Sequence, residues 1–466
     1  MDIKNKQIVI LGLGGSGEAA ARLSLQQGGK VFVFDEGRSE TVLSRAQKLM
    51  DLGAVVECGC QTVPQIKADL VVISPGVLPQ GVLGKYAEDC GVEVLSELEF
   101  GWRFMSDLPL IAITGTNGKT TTTELCSAIL NGNGMKVCSS GNIGYPVSSL
   151  VAQAGQMSLN VFEVSSFQLE HISSFHPKVG ILTNITPDHL ERYDSFEDYI
   201  RAKLNLFSQQ GAEDWAVVQW DALEIIRKRF PDFTFRSKLI TYSAEYPEAD
   251  IILKDGWIVC KGCNGLETGN WLEVKCLKLL GNHNVENVMA AVTATHVMGV
   301  PLTGAVHCAS AFLPSGHRCE LVGELDGVRY INDSKATNVD AVRQALKMMP
   351  SGRKTWLIAG GKDKGFEFGG LEDLLSSRVH EAILIGETRC KICEQWQKSV
   401  LCSYADTLEG AVRYAAGLAR KNEVVLLSPA CSSFDMFKSY AHRGDVFKKT
   451  VAQLIDERAS KKQKFF

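Results

Sequence analysis

A short apolar run, Pro109-Leu110-Ile111-Ala112-Ile113, leads straight into Thr114-Gly115-Thr116-Asn117-Gly118-Lys119-Thr120-Thr121-Thr122. This order reads as a buried strand, a glycine-rich turn and the start of a helix. Such a turn aims backbone N–H groups at one point, at the positive end of the helix dipole, and phosphate is the natural occupant. Lys119 would reach the terminal phosphates and Thr120 would hold Mg²⁺, so a nucleoside triphosphate site, for ATP, is expected here. The common pattern G-x-x-x-x-G-K-[ST] requires glycine where this chain has Ile113, and its first glycine is Gly115. The loop is therefore a variant. A junction that binds nothing is the opposing reading, and it gives Gly-Lys-Thr-Thr no motive.

The rest of the chain supplies α/β grammar around that loop. Gln7–Leu11 reads as a strand, followed by Gly12-Leu13-Gly14-Gly15-Ser16-Gly17 and a helix-like stretch to Gln27. Lys30–Phe34 is a second strand ending at Asp35, and Leu70–Ile73 another, ending in Ser74-Pro75-Gly76. These are the signals of a doubly wound parallel sheet. The G-x-G-x-x-G is complete, and Asp35 lies 18 residues beyond Gly17. That spacing suits a dinucleotide fold, but any diphosphate fits the same turn, and close helix–strand packing alone would also favour it. Apolar strands recur at Leu159–Val164, Val179–Leu182 and Ala216–Val218. Short, turn-broken segments from Thr241 to Lys278 read as inserted β-hairpins, and Asn284–Met298 as a helix. A third unit opens near Pro314-Ser315-Gly316, with strands at Arg329–Ile331, Thr355–Ala359, Ala382–Ile385 and Glu423–Leu427.

With 466 residues, about three domains are expected. The predicted fold is α/β. Residues 1–100 form a Rossmann-like domain, 101–313 a phosphate-loop domain with the β-hairpin insertion, and 314–466 a second Rossmann-like domain. A net charge of −4 implies no polyanion-binding face, so no nucleic-acid partner is expected. The apolar runs are strand-sized, so no membrane partner is expected either. Lys4 and Lys6 before Ile8–Leu13 mimic a secretion signal, but glycines interrupt the run and it reads as the first strand. The 14 cysteines include two C-x-x-C pairs, Cys260–Cys263 and Cys390–Cys393, without histidines at finger-like spacing. Reduced thiols in a cytoplasmic protein are the expectation, rather than a zinc site.

Polar clusters follow several strands. Gly141-Asn142-Ile143-Gly144 is one. Glu163 begins another, Glu163-Val164-Ser165-Ser166-Phe167-Gln168-Leu169-Glu170, where a carboxylate can hold Mg²⁺ beside the γ-phosphate or simply pair with a basic side chain. Asn184-Ile185-Thr186-Pro187-Asp188-His189-Leu190-Glu191-Arg192-Tyr193 offers His189 as a metal ligand or substrate contact. Lys203, in Tyr199-Ile200-Arg201-Ala202-Lys203, is by itself an ordinary helix lysine. In the third unit, His317-Arg318, Asn332 through Asn338, Gly360-Gly361-Lys362-Asp363-Lys364 and Ser428 through Asp435 sit at strand ends, where open α/β sheets bind ligands. Cys431 reads as a packed thiol, for no histidine–acid pair lies near it in sequence.

With these residues in view, the chain resembles the Mur ligase family over its whole length. The variant loop Thr114-Gly115-Thr116-Asn117-Gly118-Lys119-Thr120 belongs to that family and to folylpolyglutamate synthases. Ser165-Ser166-Phe167-Gln168-Leu169-Glu170, Asn332-Asp333-Ser334-Lys335-Ala336-Thr337-Asn338 and Ser428-Pro429-Ala430-Cys431-Ser432-Ser433-Phe434-Asp435 look like the branch that adds D-glutamate to UDP-N-acetylmuramoyl-L-alanine. The Asp-Asn-Pro-Arg tetrapeptide of the diaminopimelate-adding branch is absent.

The resemblance implies an ATP-dependent amide ligase of peptidoglycan precursor synthesis that forms an acyl phosphate and yields ADP and phosphate. It implies a monomer acting on small molecules, with two Mg²⁺ ions. By the same resemblance, Ser16, Asp35 and Ser74 lie near the uridine diphosphate. Asn142 and His189 touch the muramoyl part, and Glu163, His189, Thr120 and a carbamylated Lys203 serve the metal. Gly115, Thr116, Asn117, Gly118, Lys119, Thr120 and Thr121 hold ATP together with Asn284, Asn287, Arg318 and Asp333. Lys335, Thr337, Lys364, Ser433 and Phe434 match the region that holds D-glutamate. One departure touches the uracil side: Glu36-Gly37-Arg38 replaces the family's threonine or serine beside a basic residue. The general base is open; either a side chain or the acyl phosphate oxygens take the amine's proton. A folate ligase would begin near its phosphate loop, a nicotinamide dehydrogenase would absorb at the nicotinamide band, and a nucleotide-gated binding protein would release no phosphate on adding D-glutamate.

Overall fold

In the computed structural model, residues 1–64, 66–189, 192–279, 281–313, 316–363 and 367–463 are described, with side chains to 458. The chain forms two compact units, one of residues 1–187 and 192–312, the other of 313–466 with 188–191. Three sheets are present among the described residues. Two lie in the first unit, so the boundary expected near residue 100 is not a gap in packing. It falls in the helix Glu97–Trp102. That helix and the helix Gly15–Gln26 both pack on the 3₁₀ turns of Val147–Gln156, which lie beyond the phosphate loop.

The first sheet contains β1 (Gln7–Leu11), β2 (Lys30–Asp35), β3 (Val55–Cys58), β4 (Leu70–Ile73) and β5 (Val94–Ser96). They are parallel throughout, in the order β3-β2-β1-β4-β5. The reversal of winding order between the parallel neighbours β1 and β4 is where a doubly wound sheet opens a crevice. Apolar clusters cover both faces, Ile8, Ile10, Val31 and Val33 on one side and Val9, Leu11, Phe34 and Val71 on the other. Burial on both faces explains why these strands read as continuous apolar runs rather than alternating ones.

The second sheet is built on β6 (Leu110–Thr114), β7 (Ser139–Gly141), β8 (Asn160–Glu163), β9 (Val179–Leu182), β10 (Trp215–Gln219) and β11 (Lys238–Ser243), all parallel. The expected hairpins are β12 (Ile251–Lys254), β13 (Trp257–Cys260) and β14 (Gly269–Glu273). They continue the same sheet, in the order β14-β13-β12-β11-β10-β9-β6-β8-β7, instead of standing apart. Asp255-Gly256 joins β12 to β13 with φ of +50° and +78°. Two positive φ values in a two-residue loop are what a twisted hairpin requires.

The second unit holds β15 (Glu320–Leu325), β16 (Val328–Asn332), β17 (Thr355–Gly360), β18 (Val379–Ile385), β19 (Leu401–Tyr404) and β20 (Val424–Leu427). The order is β15-β16-β20-β17-β18-β19, with β15 antiparallel and the others parallel. No helix among the described residues is long and apolar enough to cross a membrane.

Close approach dictates the glycine at the start of the first helix. A Cβ on Gly17 would lie 1.8 Å from the Gly12 carbonyl oxygen. Gly17→Ala must therefore push the helix off the sheet, at a cost of about 1–3 kcal/mol. Thermal unfolding should show a melting temperature lowered by at least about 2 °C; an unchanged melting curve would contradict this packing.

Candidate active site

The phosphate loop spans the gap between β6 and the helix Lys119–Gly132. Gly115 and Gly118 have φ of +145° and +83°. A Cβ on Gly115 would meet Thr183 Oγ1 at 2.0 Å, and one on Gly118 would meet Asn287 Oδ1 at 2.4 Å. Both glycines are thus required by backbone and by neighbours. The segment after β9 braces the loop. Asn184 Oδ1 accepts from the Asn117 N–H at 2.8 Å, while the Asn184 amide and the Thr183 hydroxyl donate to the Asn117 carbonyl at 2.9 and 2.6 Å. Thr116 Oγ1 donates to the Thr186 carbonyl and accepts from its N–H, both at 3.0 Å.

Two lysines converge on the same turn. Lys119 Nζ donates to the carbonyls of Gly115 and Thr116 at 2.9 and 2.8 Å. Lys203 Nζ, on the helix Phe196–Leu204, donates to the Gly115 carbonyl at 2.8 Å and lies 4.4 Å from the Tyr199 ring centroid. Lys203 is 1 % exposed. Half-buried Lys119 and fully buried Lys203 thus share one acceptor.

Asn284 and Asn287, expected as nucleotide contacts, stand on the helix Asn282–Val297 beside the loop. Asn287 Oδ1 accepts from Thr122 Oγ1 at 3.2 Å, and its amide donates to Asn284 Oδ1 at 3.2 Å. Thr120 and Thr121 are buried in the first turn of their helix. Glu163 closes β8, flanked in register by Ile113 of β6 and Gly141 of β7. Its Oε1 accepts from Asn142 Nδ2 at 2.8 Å, whereas Oε2 is buried with no hydrogen-bond partner among the described residues. An orphaned carboxylate oxygen is costly unless something cationic takes it. No three carboxylate, imidazole or thiol groups converge to hold a metal among the described residues. Mg²⁺ asks for less, because it keeps waters and takes phosphate oxygens, so one or two protein oxygens suffice. Glu163 and Thr120 fit that demand.

A cleft of about 480 Å³ opens at the reversal point of the first sheet, lined by Ser16, Asp35, Glu36, Arg45 and Ser74 among others. All three residues expected there are brought together. Asp35 is already engaged, however: its Oδ2 accepts from the Leu13 N–H at 2.5 Å and its Oδ1 from the Gly37 N–H at 2.6 Å. Ser74 Oγ donates to the Gly12 carbonyl at 2.9 Å. Both side chains thus shape the glycine-rich turn. Glu36, in the departing tripeptide, accepts from the Leu83 N–H at 3.0 Å, and Arg38 Nε donates to the Cys58 carbonyl at 3.1 Å.

His189 groups with the second unit, carries φ of +56° and has Nε2 3.8 Å from Asp188 Oδ2. In that unit Asp333 is buried at the end of β16. Its Oδ1 accepts from the Cys319 N–H at 3.2 Å and its Oδ2 from Ser428 Oγ at 2.8 Å. Burial outweighs those bonds and pushes its carboxyl up to about 6. Arg318 Nε is buried without a hydrogen-bond partner among the described residues. Ser433 is buried, Lys335 and Thr337 are half-buried, and Phe434 is 69 % exposed. Lys364 lies outside the described residues.

Sequence reasoning passed over Arg443. Fully buried, it donates from Nε to Ser334 Oγ at 3.0 Å and from Nη2 to the carbonyls of Ser334 and Cys431 at 2.8 and 3.0 Å. It ties the strand-end turn after β16 to the one after β20. Burial draws its guanidinium down to about 10. Nothing in its local sequence, Ala-His-Arg-Gly-Asp on a long helix, signals that role.

Three family models account for most of the chain. A Mur ligase MurD-like N-terminal domain matches residues 6–96, a Mur ligase middle domain 113–295, and a Mur ligase glutamate ligase domain 317–431. The chain belongs to the Mur ligase family. A protein of Trichlorobacter lovleyi named UDP-N-acetylmuramoylalanine--D-glutamate ligase is 40 % identical over 462 residues, covering 97 % of this chain and 100 % of that one. A protein of the same name from Caldanaerobacter subterraneus is 36 % identical over 97 % of this chain and 100 % of its own. Among solved structures, the MurF ligase of Thermotoga maritima in complex with ADP superposes with a TM-score of 0.60 at 16 % identity, covering 92 % of this chain and 96 % of that one. The UDP-N-acetylmuramate-alanine ligase MurC of the same organism gives 0.58 at 18 % identity, covering 96 % and 100 %. At such identities the likeness carries the Mur ligase fold.

The raised Asp333 carboxyl has a consequence for folding. An unfolded aspartate titrates near ~3.9, below the value of about 6 in the fold. Its contribution is therefore fully present below pH ~4 and lost as pH rises towards ~6, by roughly 2–3 kcal/mol. Denaturant titrations from pH 4 to 7 should show wild type losing stability relative to Asp333→Asn across that window. Parallel profiles would contradict the burial of this charge.

Proposed function

We propose that this Mur ligase joins D-glutamate to UDP-N-acetylmuramoyl-L-alanine in peptidoglycan precursor synthesis, with ATP as the energy source. The observation that carries the reading is the braced Gly115–Gly118 loop with Lys119, Thr120 and the orphaned Glu163 oxygen around it. Relatives of that name aligned over their full length support the substrate pair.

Chemistry explains why a triphosphate is needed. An oxide is a poor leaving group, so a carboxylate resists attack by an amine. Transfer of the γ-phosphoryl group to the alanyl carboxylate oxygen gives an acyl phosphate and ADP. The neutral amine of D-glutamate then attacks the acyl carbon, a base or the acyl phosphate oxygens take its proton, the C–O bond breaks, and phosphate leaves with the electron pair. Lys119 would exchange its present carbonyl partners for phosphate oxygens, where a preorganised cation stabilises spread negative charge. Thr120 and Glu163 would hold Mg²⁺, which neutralises phosphate charge when bound. Gly115, Thr116, Asn117, Gly118 and Thr121 would cradle the phosphates, with Asn284 and Asn287 beside them. Arg318 and Asp333 are assigned to the nucleotide, and Lys335, Thr337, Lys364, Ser433 and Phe434 to the incoming amino acid. Ser16, Asp35 and Ser74 shape the uridine diphosphate cleft. Asn142 and His189 are assigned to the muramoyl part, His189 also to metal.

Lys203 fits carbamylation. A carbamate keeps one N–H for the Gly115 carbonyl, removes the second ammonium from that acceptor and adds oxygens suited to a second Mg²⁺. The protein is proposed to act as a cytoplasmic monomer.

Phosphate release with ATP, Mg²⁺ and UDP-N-acetylmuramoyl-L-alanine should depend on D-glutamate and not on L-glutamate, D-alanine or lysine. Lys119→Ala should lower turnover by ~10²–10³; full activity in that variant would refute the phosphoryl-transfer reading. Lys203→Ala should fall similarly and recover partly with short carboxylic acids, and an unimpaired variant would exclude the carbamate.

A further inference from the structure

Arg192 is 8 % exposed and uses its whole guanidinium. Nε and Nη2 donate to the two oxygens of Glu170, at 3.0 and 2.5 Å. Nη1 donates to the Val77 carbonyl at 2.8 Å. The guanidinium carbon lies 4.4 Å from the Phe167 ring centroid. Glu170 and Phe167 belong to the turn of helix that follows Glu163 and β8. Val77 belongs to the turn after β4, which lines the cleft of the first sheet. A single side chain therefore joins the floor of that cleft to the segment beside the phosphate-loop sheet.

The contact does not stop there. Phe167 packs on Tyr193, centroids 6.0 Å apart, and Tyr193 meets Tyr199 edge-on at 5.5 Å. The Tyr199 hydroxyl is 3.1 Å from Thr116 Oγ1 in the phosphate loop. Planar, multiply hydrogen-bonded and stacked, Arg192 is held in one geometry, which a lysine or an aliphatic residue would not reproduce. The ion pair with Glu170 explains why the charge is tolerated there. It does not explain the third hydrogen bond, which reaches across to the turn after β4.

We propose that Arg192 is a positioning residue for the uridine diphosphate end of the substrate, pinning the Ser74–Leu78 turn so that the cleft is set before the substrate arrives. This rests on the substrate reading given under Proposed function. A turn released from its tether must be ordered on binding, so the loss appears in affinity for the uridine ligand. Nucleotide affinity and the chemical step are expected to stay close to wild type.

Arg192→Met removes both the tether and the ion pair and leaves Glu170 unpaired. Arg192→Met combined with Glu170→Gln removes that stranded charge but still lacks the tether. Glu170→Gln alone keeps the tether. Calorimetric titration of the full chain with UDP, and separately with ADP, distinguishes these roles. UDP affinity should fall by about tenfold or more in both Arg192 variants and by less than about threefold in Glu170→Gln, with ADP affinity unchanged within about twofold. In turnover assays KM for the uridine substrate should rise by a similar factor, with kcat within about threefold. Recovery of UDP affinity in the double variant would overturn the proposal, reducing Arg192 to a partner for a half-buried carboxylate. A parallel loss of ADP affinity would overturn it as well. A wild-type chain that binds ADP but not UDP would overturn the substrate reading itself and this inference with it.

Discussion

The geometry of the first unit hangs on the carbonyl of Gly115. It accepts from Lys119 at 2.9 Å and from Lys203 at 2.8 Å. It can do so because the turn is bent through two positive-φ glycines and held from behind by Thr183, Asn184 and Thr186. A backbone dipole that collects two cations is an electrostatically loaded position. Each cation is stabilised by the carbonyl. The shape of the loop is thus fixed by residues that lie outside it.

The same logic runs through Glu163. A buried carboxylate at a strand end, with one oxygen satisfied by Asn142 and the other unpaired among the described residues, is costly for the fold alone. In the second unit the solution is different. Asp333 is satisfied by Cys319 and Ser428, and Arg443 by carbonyl and hydroxyl oxygens of two turns. Those groups fix loop shape from below, leaving Lys335, Thr337 and Phe434 partly or largely in reach of solvent.

Much of the fold was legible in the chain. β1, β4 and β9 fall where their apolar runs begin and end. Strands buried on both faces must be apolar throughout, so composition marks them directly. Several short or edge strands are not marked by their own sequence. β3, β7, β15 and β19 are partly exposed and alternate or carry polar residues, so their pairing partner defines them rather than their own sequence. The hairpin at Asp255-Gly256 was legible as turn-broken texture, but its place as an extension of the second sheet was not. Strand order is a non-local property.

The candidate site divides along the same line. The sequence by itself determined the phosphate loop, because glycines at positive φ, a lysine and a threonine at fixed spacing are a local demand of backbone and phosphate. It determined also that carboxylates and amides would stand at the carboxyl ends of strands. Only the tertiary structure decided which of these groups meet. Asp35 serves the glycine-rich turn, Lys203 reaches the Gly115 carbonyl across 88 residues, and Arg192 reaches Val77 across 115. A buried polar side chain is tolerated only where a partner has been brought to it, and that partner comes from another strand or turn. Its identity depends on how the sheets are ordered and stacked, which no local pattern records.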